Sequence, residues 1–247
     1  MRRFWVCALL ASVAGLCAAQ STGTELLGKF QNALTSAKSL KVVCTVTTPA
    51  SGSYDYTIEL AKPSYIKIDA PTELIVADGS DILLVNKRQG FFFQRKQTDA
   101  EFKHLLKPLD LCLWSAFFDA KASAAFKDAK ADDPETVDGK TYDKLEFTWS
   151  LKEERTVTCR LNPTDGIVRK AEFNVQSEQN SFSLTLEVKS LTVGDKVDPA
   201  VFALKAPDGT REVGLDELAT FYGNVDTALQ VAKNTDRTVM IAFLWDH

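Results

Sequence analysis

Apolar residues recur at every second position over long stretches of this chain, and elsewhere the period changes. Tyr54, Tyr56, Ile58 and Leu60 alternate with Asp55, Thr57 and Glu59, while Phe182, Leu184, Leu186 and Val188 alternate with Ser183, Thr185, Glu187 and Lys189. A period of two marks strands with one buried and one wet face. Four short apolar runs come after the first of these, SYIKIDA, ELIVADG, ILLVNK and FFFQRK, with Lys62-Pro63, Asp78-Gly79 and Gln89-Gly90 as breaks and turns. Short runs closed by turn signals describe an antiparallel meander. Further strands are expected from Leu40 to Thr48, through Leu145, Phe147, Trp149 and Leu151, through Val157, Cys159 and Leu161, and through Ala171, Phe173 and Val175, with a turn at Pro163 to Gly166.

Two regions follow a helical period instead. Leu26, Leu27, Phe30, Ala33, Leu34, Ala37 and Leu40 fall on one side of a helix from Thr24 to Leu40, with Thr24 as its N-cap. Between Thr98 and Lys127, Phe102, Leu105 and Leu106 precede Pro108, and LDLCLWSAFF comes after it, apolar nearly all round. Such a segment covers something or is covered. The pattern predicts an α+β, mainly β fold: about ten antiparallel strands, an N-terminal helix and short lid or plug helices. An open sheet of that size curls or splits, so a curved, incomplete β-barrel is the simplest packing.

Composition bears on compartment and partners. Residues 1–19 read as a secretory signal peptide: Arg2 and Arg3, an apolar stretch from Phe4 to Leu16, then Cys17-Ala18-Ala19 before Gln20. The uncharged stretch is shorter than the roughly 20 residues that span a bilayer, which places the mature chain in the periplasm or outside the cell. Losing the two arginines moves the net charge from −4 to −6, against nucleic acid as a partner. Cys44, Cys112 and Cys159 remain, none in a CxxC pair; buried thiols are expected, with a Cys44 to Cys159 bridge as the alternative.

No catalytic residue, metal site or cofactor emerges. His104 and His247 are the only histidines, HExxH, GxSxG and GxxxxGK motifs are absent, and Asp132-Asp133 reads as a solvated pair. The chemistry is apolar. Phe91, Phe92 and Phe93 are consecutive, so both faces of that strand carry phenylalanine. If the meander's apolar face lines a cavity, its candidate lining is Ile58, Ile66, Ile68, Phe92, Leu145, Phe147 and Trp149, with Leu109, Leu113 and Trp114 on the lid. The other reading is an ordinary two-sided core. Burying an acyl chain contributes about 0.8 kcal/mol per CH₂, on the order of 10 kcal/mol for a dozen before ordering costs.

The helix followed by SLKVVCTVTT, then KPSYIKIDAPTELIVADGSDILLV, DGKTYDKLEFTWS, TVTCRLNPTDGIVRKAEFNV and VDPAVFALKAPDGTREV, runs in an order that resembles the outer-membrane lipoprotein carrier family, LolA, over about Thr24 to Val213. The resemblance implies a periplasmic half-barrel, residues 20–213, that acts as a carrier or chaperone. Its concave face would receive the acyl chains of a lipid or lipoprotein, passed between membrane-associated donor and acceptor proteins. Lys62 would hold the basic-Pro position at the cavity rim, where the carriers usually have arginine; lysine lacks arginine's planar five-donor fork. Residues 214–247, with a helix from Val225 to Lys233 and a strand from Thr238 to Leu244, resemble the start of a thioredoxin-like domain. Two alternatives therefore stand beside the carrier: the N-terminal module of a thioredoxin-like oxidoreductase, and a protein-binding sensor or scaffold with a filled barrel.

Overall fold

The computed structural model describes residues 21–50, 52–108, 111–119, 126–150, 154–176, 181–214 and 229–230. The expected signal peptide, Leu109 and nearly all of the 214–247 tail lie outside them. The chain divides into two compact units, residues 1–36, 47–51 and 113–187 in the first, and 37–46, 52–112 and 188–247 in the second.

In the first unit, helix α1 (Gly23–Ser36) precedes β7 (Phe126–Val137), β8 (Lys140–Ser150), β9 (Glu154–Leu161), β10 (Val168–Gln176) and the first half of β11 (Ser181–Gly194). Thr22, not Thr24, caps α1: the Glu25 N–H donates to Thr22 Oγ1 at 3.3 Å, and the Thr22 N–H donates to Glu25 Oε2 at 2.7 Å. The glutamate that closes this capping box stands three residues after Thr22, whereas Thr24 has a leucine there. The helix buries Leu26, Leu27, Phe30 and Leu34 and lies against β7 and β8. At Gly23 its backbone comes so close that a Cβ would overlap the Ala129 carbonyl.

The register from β8 to β11 aligns Leu145, Cys159, Ala171 and Leu186 in one row, and Phe147, Val157, Phe173 and Leu184 in the next. All eight are buried. The opposite face is polar, with Lys144, Arg160 and Lys170 in register. β7 was not expected; the pattern there reads as helix and loop. It is an edge strand with bulges around Asp128 and Pro134, mostly exposed. Asp132-Asp133 therefore stands on this strand, and Asp132 pairs with Lys144 at 3.1 Å.

In the second unit, β1 (Ser39–Thr48, apart from its last two residues) and β2 (Gly52–Ala61) lead into β3 (Tyr65–Asp69), β4 (Glu73–Asp78), β5 (Asp81–Asn86) and β6 (Phe91–Lys96). Gly79 and Gly90, at φ 91° and 67°, make the two turns that the sequence marked. α2 (Asp99–Leu105) begins at Thr98, whose side chain forms a capping box with Glu101. Of the apolar segment after Pro108, Cys112–Phe117 is a 3-10 turn in which the chain enters the first unit at Leu113, with Leu113, Trp114, Ala116 and Phe117 buried. A second 3-10 turn, Pro199–Phe202, precedes β12 (Arg211–Glu212), which pairs in parallel with β6.

The strands succeed one another in the order β12-β6-β5-β4-β3-β2-β1-β11-β10-β9-β8-β7. β12 and β7 are its edges, so the sheet is open, and the other registered pairs are antiparallel. Among the described residues the fold is α+β and mainly β, as the pattern predicts, with one open sheet of twelve strands where about ten were expected. Cys44, Cys112 and Cys159 are buried thiols outside any disulfide, so the alternative Cys44 to Cys159 bridge is not formed. Burial pushes the Cys159 thiol well above its ordinary pKa.

Candidate functional site

Within the meander β2–β6, the register sorts side chains onto two faces. One carries the rows Ile58–Ile68–Ile75–Leu84–Phe93 and Leu60–Ile66–Ala77–Ile82–Arg95, flanked by Glu73–Asn86–Phe91. The other carries Leu74, Val76, Leu83 and Val85, which pack with Ala61 and Phe202. Val197, Val201 and Leu204 join that cluster, and the Tyr65 and Phe202 rings lie 5.3 Å apart. The segment around Pro199–Phe202 thus covers the second face.

The first face changes along its length. Ile58, Ile66, Ile68 and Ile82 are fully buried, Ile75 is 9% exposed, and Leu84, Phe91 and Phe93 are half-buried. At this loosened end lies an open groove of about 470 Å³, lined by Ile75, Leu84, Val85, Phe91 and Phe93 with Thr72, Glu73, Asn86 and Arg88 at its polar margin. Its volume falls within the range of small-molecule pockets, and its lining has their composition: apolar walls with a few polar groups.

The lining expected from sequence divides accordingly. Ile58, Ile66 and Ile68 share the groove's face, at its buried end. Phe92 does not: paired with Val85, it packs with the Phe202 cluster on the opposite face, and Phe91 and Phe93 take the place expected of it. Three consecutive phenylalanines leave the face undecided until the pairing Phe93↔Leu84 fixes it. Leu145, Phe147 and Trp149 lie on the apolar face of the first unit, all buried. In the candidate lid, Leu113 and Trp114 are fully buried, and the Trp114 indole N–H has no hydrogen-bond partner. Lys62 comes directly after β2 in the second unit, its N–H donating to the Lys38 carbonyl at 3.0 Å, and partial burial lowers its pKa.

Two charged side chains line the groove: Arg88, from the basic cluster Lys87, Arg88, Arg95 and Lys96 of the sequence, and Glu73, which the sequence did not single out. Arg95 lies just beyond Phe93 on the same face, its Cζ 5.9 Å from the Phe93 ring centroid, with Nη1 3.1 Å from Glu101 Oε1. Position i+2 from an apolar strand residue was the available signal. A second, charged groove of about 330 Å³ lies on the polar face of the first unit, lined by Glu135, Lys144, Thr158, Arg160, Lys170 and Glu172. Its charges are paired: Arg160 holds Glu135 through two hydrogen bonds of 2.8 and 2.7 Å, which lower the Glu135 pKa, Lys170 meets Glu172 at 2.5 Å, and Lys144 meets Asp132, outside the lining. Among the described residues no group of three metal-capable side chains converges, and no helix is long and apolar enough to cross a membrane.

Fold and groove together define an open, mainly antiparallel sheet with an apolar trough at one end of one face. No family model and no curated protein matches the chain. Solved structures of low sequence identity are similar to the chain. An uncharacterised conserved protein of Thermus thermophilus is 9% identical, over 77% of this chain and 97% of that one, with a TM-score of 0.48. The lipoprotein LppX of Mycobacterium tuberculosis is 16% identical over 70% and 98%, with a TM-score of 0.43. A LolA superfamily protein of Nitrosomonas europaea is 13% identical over 74% and 98%, with a TM-score of 0.34.

Proposed function

We propose that this protein binds the acyl chain of a lipid or lipoprotein in the groove of the β2–β6 meander, and that it does so as an extracytoplasmic carrier. One observation supports the reading above others: an apolar row that is closed at Ile58 and Ile68 becomes half-open at Leu84 and Phe93, where a trough meets solvent. Side chains that are already partly exposed offer apolar surface to a ligand without unfolding the core, and each methylene buried there contributes about 0.8 kcal/mol. The signal-like N-terminus supports the location, and the ordered motifs support carriage. Ile58, Ile66 and Ile68 would form the floor reached when the groove deepens, with Lys62 at the rim.

A specific observation also favours a second reading, a protein-binding scaffold whose interior is filled: Ile58, Ile66, Ile68 and Leu145 expose no surface in this conformation. Organic extraction of the natively purified protein, followed by mass spectrometry, separates the two. A stoichiometric acylated molecule in the wild type, lost in Leu84→Glu while the variant stays folded, is the result expected for the carrier. An empty extract, with no binding of a fluorescent acyl probe to the wild type, would reject it in favour of the scaffold.

A further inference from the structure

An acyl ligand also has a polar end, and the choice of a partner for that end rests on the acyl-binding reading. The groove's lining is graded along the strands. The row Ile75–Leu84–Phe93 is apolar, and the next row outward, Glu73–Asn86–Phe91, is mixed. Thr72 precedes Glu73, and Arg88 lies two residues after Asn86, in the β5–β6 turn that the Gly90 N–H closes on the Asn86 carbonyl at 2.9 Å. The polar lining residues therefore gather where β4 begins and β5 gives way to β6. An amphiphile in this groove would set its headgroup at that end and its chain along Ile75, Leu84 and Phe93.

The charges at the polar end decide which headgroup. The Asn86 amide holds the turn, accepting from the Gln89 N–H at 2.9 Å and donating to Gln89 Oε1 at 3.3 Å. Lys87 bonds to Asp69 and to the Ala70 carbonyl and is not part of the lining. Glu73 and Arg88 are exposed and both line the groove, so a ligand seated there reaches one carboxylate and one guanidinium. A purely anionic headgroup gains Arg88 but shares the groove with Glu73, a purely cationic one meets the reverse, and a neutral one engages neither charge. The formal net charge of −4 on the chain also acts against a headgroup of net negative charge. A headgroup that carries a phosphate and an ammonium uses both side chains, and the planar fork of arginine suits phosphate in particular. We propose that the groove prefers acyl lipids with a zwitterionic phosphate–ammonium headgroup, Arg88 taking the phosphate and Glu73 the ammonium.

The test uses the full chain, stripped of bound lipid, and measures displacement of a fluorescent acyl probe by three ligands that share one lauroyl chain: a lysophosphatidylethanolamine, a lysophosphatidic acid and a monoacylglycerol. In wild type the zwitterionic ligand is expected to displace the probe about tenfold more effectively than the neutral one and about threefold more effectively than the anionic one, the size of two exposed charge contacts and of one. Glu73→Gln is expected to close the gap between the zwitterionic and anionic ligands. Arg88→Gln is expected to bring the zwitterionic ligand within about threefold of the neutral one. Both positions are exposed, so neither change removes core packing. An anionic or neutral ligand equal to the zwitterionic one in wild type would overturn the assignment while leaving the acyl-binding reading intact, as would an undiminished ratio in either variant. If the probe does not bind wild type at all, the acyl-binding reading itself fails, and the headgroup assignment falls with it.

Discussion

The two units each carry an apolar sheet face, and those faces end differently. In the first, two successive rows across β8–β11 are closed throughout, from Leu145 to Leu186 and from Phe147 to Leu184. Only the next row loosens, where Arg155 lies 5.1 Å over the Trp149 ring and Phe182 is 39% exposed. In the second unit the loosening begins within a single row, between buried Ile68 and half-buried Leu84. A face sealed along its rows contributes stability; a face that opens along a row contributes a surface for something else to cover. Where the apolar side chains lie matters less for function than where their burial stops.

The largest expected effect tests the sealed face. Phe147→Ala removes a fully buried ring and should cost about 3–5 kcal/mol, read as a fall in the urea midpoint. A loss below about 1 kcal/mol would mean that this face, too, is loosely packed. Next comes Gly23→Ala. Alanine ordinarily favours a helix by up to about 1 kcal/mol over glycine, yet here its methyl would overlap the Ala129 carbonyl. Net destabilisation of about 1–2 kcal/mol is therefore expected from overpacking, and a stabilised variant would show that α1 does not sit this close to β7.

Phe93→Ala probes the open face and should divide the two properties: under about 1 kcal/mol of stability lost, because the ring is only half-buried, but acyl-probe binding about tenfold weaker. Equal losses in both would erase the distinction between the faces. The smallest effect is electrostatic. The two hydrogen bonds from Arg160 depress the Glu135 pKa below its ordinary 4.5, so the carboxylate's stabilising contribution is present above that pH and is lost as pH falls through the depressed value. Glu135→Gln should accordingly flatten the fall in melting temperature on the acid side without changing acyl binding. A Tm profile parallel to wild type would show that the pair adds nothing.

Much of the fold was legible because alternation and turn residues agree in most strands. Tyr54 to Leu60 and Phe182 to Val188 alternate cleanly, and the Asp78-Gly79 and Gln89-Gly90 turns need the positive φ that glycine supplies at Gly79 and Gly90. β7 was hidden for a physical reason. As a bulged edge strand with one sheet neighbour, it has no buried face to impose alternation, and its charges and Pro134 are what keep an edge from pairing with other chains. At the groove, Ile58, Ile66 and Ile68 were readable as one face from spacing alone. Phe91, Phe92 and Phe93 were not, because in a run of identical residues only the cross-strand partner fixes the face. Arg95 was readable as part of the basic cluster Lys87, Arg88, Arg95 and Lys96, but its pairing with Glu101 was not, since that pair joins a strand to the first turn of the following helix.

The central claim is that an acyl chain enters at the open end of the second unit's apolar face. Photo-crosslinking tests it most directly: the full chain, loaded with a diazirine-bearing acyl probe, irradiated, digested and mapped by mass spectrometry. Adducts concentrated on Ile75, Leu84, Phe91 and Phe93, and abolished by excess unlabelled acyl ester, are the predicted result. Adducts confined to the β8–β11 face, or none that competition removes, would contradict it.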